Sequence, residues 1–260
     1  MKLNIYQVDA FAETVFSGNP AAVVPLGNWL PDEIMQNIAL ENNLSETAFF
    51  VPSGTGFHIR WFTPAAEVKL CGHATLASAH VIFNHLNYSE NEILFDSLSG
   101  KLSVKKENGL YVLNFPASEL EEAEYPENLK DAFNFQPVRC IRGRDDLLLV
   151  FRNEKEIREI QPDLQKILSS KTRGIIVTAP SETFDFVSRF FAPAVGVNED
   201  PVTGSAHTML IPFWSRELKK DSLVAKQISA RGGILYCRNL TDRVEIGGHA
   251  VTFMIGEISI

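Results

Sequence analysis

The feature that most constrains this chain is that it repeats itself. Arg60-Trp61-Phe62-Thr63-Pro64-Ala65-Ala66 returns as Arg189-Phe190-Phe191-Ala192-Pro193-Ala194-Val195, an offset of 129 in a chain of 260 residues. Upstream, Phe49-Phe50-Val51-Pro52-Ser53 and Val177-Thr178-Ala179-Pro180-Ser181 are apolar runs that each end in a Pro-Ser turn. Downstream, Gly72-His73-Ala74 answers Gly204-Ser205-Ala206 at an offset of 132. Gly100 ahead of Leu102-Ser103-Val104 answers Gly233 ahead of Leu235-Tyr236-Cys237 at 133. Constant order with a slowly drifting offset is what a duplicated folding unit leaves behind after a few insertions, here mostly between Pro193 and Gly204. Two lobes of one topology are therefore expected, and the length suits two domains of roughly 130 residues.

Inside each half the pattern is mainly that of strands. Ile5 to Phe11, Ala21 to Val24, Thr47 to Val51, Phe57 to Phe62, Glu92 to Asp96, Lys101 to Lys105 and Leu110 to Phe115 are short β-rich runs punctuated by Gly, Pro, Asn and Ser. Glu107-Asn108-Gly109 predicts a hairpin through Asn-Gly. Pro31-Asp32-Glu33 opens an amphipathic helix to about Asn42, with an acidic first turn that suits the positive end of the helix dipole. Gly72 to Leu86 and Gly204 to about Leu218 are different, because apolar residues occupy every side. A helix apolar all round must be buried, and these are too short to span a membrane. Each lobe is predicted to wrap strands around one central helix.

Composition removes several classes of function. Hydrophobic residues are 45% and charged residues 22%, the balance of an ordinary globular protein. Lys plus Arg number 24 against 32 Asp plus Glu, for a net charge of −8 without a basic run, so nucleic acid is not an expected partner. Met1-Lys2-Leu3-Asn4-Ile5-Tyr6 lacks the apolar core of a signal peptide, and no stretch of about 18 apolar residues follows. A cytoplasmic protein with no membrane association is expected. Cys71, Cys140 and Cys237 are odd in number and show no Cys-x-x-Cys spacing, which argues against structural disulfides and a zinc site.

The chemistry-bearing residues gather where the two apolar helices begin. Leu70-Cys71-Gly72-His73-Ala74-Thr75 and Glu199-Asp200-Pro201-Val202-Thr203-Gly204-Ser205-Ala206-His207 both follow the repeated Arg-aromatic-Phe strand. The first turn of a helix offers unpaired N–H groups and partial positive charge, so two such starts brought to one cleft would receive a carboxylate. Glu46, at the mouth of the apolar run Thr47-Ala48-Phe49-Phe50, is placed for general acid/base work. The matching place near Arg173-Gly174 has no carboxylate. Against these readings stand plainer ones: Glu46 as a solvated strand start, His73 as a helix cap, Asp200 as a turn former before Pro201. Arg60 and Arg189 either bind anions or pair with acidic neighbours across strands. The histidines His58, His80, His85, His207 and His249 show no metal-ligand spacing.

Five motifs, Ser17-Gly18-Asn19-Pro20-Ala21-Ala22-Val23-Val24, Leu44-Ser45-Glu46-Thr47-Ala48-Phe49, Cys71-Gly72-His73-Ala74-Thr75-Leu76-Ala77, Asp200-Pro201-Val202-Thr203-Gly204-Ser205-Ala206-His207 and Gly247-Gly248-His249-Ala250-Val251, together resemble the PhzF-like family of phenazine biosynthesis, from about residue 5 to 257. That resemblance implies an α+β fold of the diaminopimelate epimerase-like type, two pseudo-symmetric lobes each a barrel-like sheet around a buried helix. The lobes would be 1–117 and 118–260, with the strand after about residue 247 a candidate to return to the first. It implies a cofactor-independent isomerase, without a metal, acting on a small carboxylated substrate that is dihydro-hydroxyanthranilate-like or amino-acid-like. Glu46, His73 and Asp200 fall on catalytic positions, and Asn19, Gly72, Gly204 and Ser205 on substrate-binding ones. A homodimer is expected at family level.

Two alternatives remain at this point: a one-base amino-acid epimerase or racemase, and a non-catalytic ligand-binding module of the same fold. Related racemases use two facing cysteines. Cys71 could be the first, but the second half offers Asp200-Pro201-Val202-Thr203, so a two-thiol enzyme is excluded.

Overall fold

The computed structural model describes residues 1–260, which divide into two compact units, Met1–Asn114 with Gly247–Ile260, and Phe115–Ile246. The first begins with β1 (Lys2–Ala10), β2 (Asn19–Pro25), α1 (Asp32–Asn42), β3 (Glu46–Ser53), β4 (Gly56–Phe62) and the two-residue β5 (Glu67–Val68). It continues with α2 (Gly72–His85), β6 (Glu92–Ser97), β7 (Gly100–Glu107) and β8 (Leu110–Pro116). Along this order β1 pairs antiparallel with β2, β2 parallel with β3, β3 antiparallel with β4, β4 parallel with β6, and β6 antiparallel with β7. The two parallel steps are where helices cross over: α1 between β2 and β3, α2 between β4 and β6.

The second unit runs through β9 (Glu121–Glu122), β10 (Arg139–Arg142), β11 (Asp146–Val150), α3 (Glu154–Glu159), α4 (Leu164–Ser169), β12 (Gly174–Pro180) and β13 (Phe186–Phe191). Then come α5 (Gly204–Leu218), β14 (Ser222–Gln227), β15 (Gly233–Asn239) and β16 (Arg243–Gly248). Its pairings repeat the same series: β10 antiparallel to β11, β11 parallel to β12, β12 antiparallel to β13, β13 parallel to β14, β14 antiparallel to β15. The chain then returns to the first unit, where β17 (Ala250–Ser259) lies antiparallel to β1 with Lys2 opposite Ser259.

The buried helices have the role their composition predicts. Every residue from His73 to Ile82 of α2 is buried, and the helix packs against β1, β2, β3, β7 and β17. Sheet on several sides explains why it has no polar face. α5 is buried through Gly204, Ala206, His207, Met209, Leu210, Ile211 and Phe213 to Ser215, and packs on β11, β14 and β15. A second apolar layer lies on the other side of each sheet. In the first unit Met35, Ile38 and Ala39 of α1 meet Ala22, Val24, Phe49 and Phe62. In the second Ile157, Ile160 and Ile167 meet Leu147, Leu149, Ile175, Val177 and Phe191. No helix is long and apolar enough to cross a membrane.

The repeated arginines pair with carboxylates in the same way in both units. Arg60 grips Glu67 through Nε and Nη2, both at 2.7 Å, and Arg189 grips Glu199 at 2.7 and 2.9 Å. Of the two uses open to these arginines, the ion pair is the one observed.

Candidate active site

Glu46 opens β3, which the chain enters from α1 through Asn43 in the left-handed region (φ 48°). Its side chain is 17% exposed, and Oε2 lies 3.1 Å from Nε2 of His73. His73 is the second residue of α2 and is buried. On the other side of the ring, the amide of Asn19, the buried first residue of β2, lies 3.2 Å from Nδ1. Cys71, just ahead of α2, places Sγ 3.6 Å from Nδ1 and 3.9 Å from Nε2. Four side chains from β2, β3 and the start of α2 thus form one cluster, although Asn19 and His73 are 54 residues apart in sequence.

Electrostatics assigns the protons. Burial works against a charge on His73, but the attraction of Cys71 and Glu46 outweighs it and holds the imidazole well above its ordinary value. The Cys71 thiol is pushed up to about 11, chiefly by burial and further by Glu46. Burial of the Cys71 thiol favours its protonated form near neutral pH, and the carboxylate of Glu46 is the acidic neighbour of His73.

The second unit has its own cluster at the start of α5. Thr203 donates to Asp200 Oδ2 at 2.5 Å, and Gln227 ties the turn by donating to the Asp200 carbonyl at 2.8 Å and accepting from Thr203 N at 2.9 Å. Arg173, just before β12, donates through Nε to Asp146 at 2.9 Å and through Nη2 to Asp146 and to Ser205, the latter at 3.1 Å. Asp200 and Ser205 are thus both present at this helix start, each held by partners. Sequence reasoning missed Asp146, Gln227 and the Asp146–Arg173–Ser205 chain. The available signal was an acidic residue opening the otherwise apolar run Leu147-Leu148-Leu149-Val150.

The strand registers show why only one unit carries the glutamate. Phe49 lies opposite Arg60 as Val177 lies opposite Arg189, which makes Gly174 the counterpart of Glu46. A Cβ at Gly174 would sit 2.4 Å from the Phe190 ring, so that place is filled by the aromatic.

Both buried helices also begin without a side-chain cap. Cys71 and Thr203 make no capping bond, and neither first turn holds an acidic residue. The short helices α3 and α4 are capped by Asn153 and Asp163, and α1 has Asp32 and Glu33 in its first turn. The leading N–H groups of α2 and α5 include those of Gly72 and Gly204, and the partial positive charge of each helix start is not offset by an acidic residue in its own first turn.

Known proteins agree with this architecture. The chain is 50% identical, over the full length of both, to an uncharacterised isomerase of Pseudomonas aeruginosa. A crystal structure of a PhzF family protein from Enterococcus faecalis matches all of the chain and all of its own with a TM-score of 0.97 at 46% identity. A hydroxyproline epimerase from Agrobacterium vitis shares the fold at a TM-score of 0.65, covering 100% of this chain and 93% of its own, with 8% identity. The architecture is α+β and diaminopimelate epimerase-like, as the sequence motifs imply. The model of the phenazine biosynthesis-like family matches residues 8–256, and the chain belongs to that family.

Proposed function

We propose that this protein is an isomerase that moves a proton within a small carboxylated substrate, with Glu46 as the acid and base and without a cofactor. The observation that carries the reading is the contact between Glu46 Oε2 and His73 Nε2 at 3.1 Å. A carboxylate set against a buried imidazole, yet partly open to its surroundings, can take a proton from carbon and return it elsewhere. Cys71 does not compete for this role, because a thiol with a pKa of about 11 is a poor base at neutral pH. The isomerase named among the relatives at 50% identity supports the same reaction class.

The other residues serve binding and orientation. The leading N–H groups of α2, with Gly72, suit a carboxylate, and in the second unit the leading N–H groups of α5, with Gly204 and the Ser205 hydroxyl, suit an anion in the same way. Asn19 and His73 hold the Glu46 end. Asp200, fixed by Thr203 and Gln227, orients a polar group of the substrate. The substrate class is a dihydro-hydroxyanthranilate-like or amino-acid-like acid.

The test is deuterium incorporation from solvent into a panel of carboxylated metabolites. Wild-type protein labels one member of the panel, and Glu46→Gln loses that exchange by about 10² to 10⁴-fold while ligand affinity stays nearly unchanged. Exchange at the normal rate in Glu46→Gln would remove Glu46 as the base.

A further inference from the structure

Arg173 and Ser205 meet at a place that the duplication marks. In the first unit Glu46, which opens β3, touches His73, the second residue of α2, at 3.1 Å. In the second unit Gly174 takes the place of Glu46. The residue before it, Arg173, reaches the second residue of α5 instead, its Nη2 donating to Ser205 Oγ at 3.1 Å. The contact between strand start and helix start recurs with its charge reversed. We infer that Arg173 is a positioning residue, which holds the Ser205 hydroxyl so that its hydrogen is donated to an anionic oxygen of the substrate at the start of α5.

The direction of the bonds follows from the groups themselves. A guanidinium has donors only, so Ser205 Oγ accepts from it, and the single O–H of the serine is left for an acceptor. The leading N–H groups of α5 are donors as well, and the partner that suits all of them is an anion. The arginine is fixed before any ligand arrives. Nε donates to Asp146 Oδ1 at 2.9 Å, the other hydrogen of Nη2 goes to Asp146 Oδ2, and Cζ lies 5.6 Å from the centroid of the Phe190 ring. Asp146 is buried, so the anchor is shielded too. The shared topology does not require this pair. Asp146 lies opposite Gly174 as Ala21 lies opposite Glu46, so the first unit builds the same parallel step with a methyl group where the second has a carboxylate. A shielded ion pair is weak evidence of stabilisation, and what this one does is aim a donor.

This role rests on the reading of the α5 start as the substrate's anion site, and is independent of Glu46 as the base. The experiment titrates benzoate, a ring carboxylate, into the ¹⁵N-labelled full chain and follows by NMR the amide signals of Gly204 and Ser205 and the side-chain N–H signals of Arg173. In the wild type all are expected to shift along one binding curve. In Ser205→Ala the affinity is expected to fall by roughly 10- to 100-fold, as for a lost hydrogen bond to a charged group, while the Arg173 signals stay still at saturation. Arg173→Gln is expected to weaken binding in the wild-type background and to add little to Ser205→Ala, because it acts through that hydroxyl. Arg173 signals that still shift in Ser205→Ala, or equal losses from Arg173→Gln in both backgrounds, overturn the positioning role and leave the anion site standing. The wild-type and Ser205→Ala signals decide the matter even if Arg173→Gln, which strands Asp146, fails to fold. Benzoate that shifts neither amide removes the anion site and this role together. The same coupling found in a Glu46→Gln protein that still exchanges deuterium supports the role and refutes Glu46 as the base.

Discussion

A histidine buried beside a carboxylate and a histidine buried without a charge partner respond to acid in opposite ways, and this chain has both. His73 is held above its ordinary value beside Glu46, whereas His80 and His207 are each pushed down to about 4, first of all by burial. His207 Nδ1 donates to the Thr203 carbonyl at 2.8 Å, and His80 sits between Tyr111 and Thr252. For these two the unfolded chain, with histidines near 6.5, takes up protons before the folded one. Their contribution to stability is present above about pH 6.5 and is lost as pH falls toward 4, on the order of 3 kcal/mol each. Urea midpoints measured against pH are expected to drop across that window, and His207→Gln, neutral throughout, is expected to flatten the drop. An unchanged acid limb would clear His207. His73 has the opposite sign: it favours the folded state at low pH and ceases to do so as pH rises through its raised value. In Glu46→Gln its NMR titration is expected to move down, because one of the two neighbours that raise it, Cys71 and Glu46, has been neutralised. An unmoved titration would mean that Glu46 does not raise it. Which residues cluster was legible at this scale where a motif was local, as with Cys71 and His73. Asp146 and Gln227 were not legible, because their partners lie on other strands and nothing in the flanking residues marks the meeting.

Turns and crossovers decide the element scale, and here the sequence was most informative. The predicted Asn-Gly hairpin is formed between β7 and β8, with Asn108 at φ 51° and Gly109 at φ 82°. The helix predicted from Pro31 is α1, entered at a proline whose φ of −53° suits a helix start. Boundaries were less legible. The run expected to reach Phe11 ends at Ala10, and Phe11 turns to φ 58°. Asp9 is buried there and accepts from Phe16 N at 2.9 Å, so a tight loop replaces the last strand residue. α3 and α4 were not foreseen, since six residues are too few for a helical period to show. Two glycines with similar backbone angles give a controlled comparison. Gly109 has open space around a Cβ, whereas at Gly18 (φ 67°) the Cβ would stand 2.2 Å from the Ala10 carbonyl oxygen. Gly109→Ala is expected to cost about 1 kcal/mol, the conformational term alone. Gly18→Ala is expected to cost several-fold more and, because Asn19 follows directly, to lower activity as well. Urea denaturation of the two variants checks this, and equal losses would refute the steric argument. Within α5, Pro212 cannot donate to Thr208, and Ser118 N donates to that carbonyl instead at 3.0 Å. A proline inside a buried helix is tolerated because a neighbouring segment satisfies the oxygen it abandons.

At the scale of the molecule, duplication was legible because packing preserves it. The same alternation of antiparallel and parallel steps, the same buried crossover helix and the same Arg-Glu grip occur in both units. The pair in each unit is mostly shielded, with Arg60 15% and Arg189 12% exposed, so losing the glutamate leaves Arg189 without a carboxylate and Arg60 with only the exposed Asp32. Glu67→Gln and Glu199→Gln are expected to destabilise by comparable amounts, about 2 to 4 kcal/mol, as judged by urea denaturation. A large effect in one unit alone would show that the duplicated pair is no longer used alike. What diverged was legible only in part. The missing second carboxylate could be read from the sequence, but the Phe190 ring that fills its place could not, because only strand register reveals it. The return of β17 to β1 bears on how such a chain is made. The unit Phe115–Ile246 is one continuous stretch, whereas the unit holding Glu46 and His73 lacks one of the two partners of its first strand until β17 has been made. On a ribosome, which releases chain from the N-terminus, the later-encoded half can therefore finish folding before the earlier one. Nascent chains arrested before residue 247 are expected to resist protease in the second half while β1 stays open to cleavage, so that the Glu46–His73 pair is among the last features of the protein to settle.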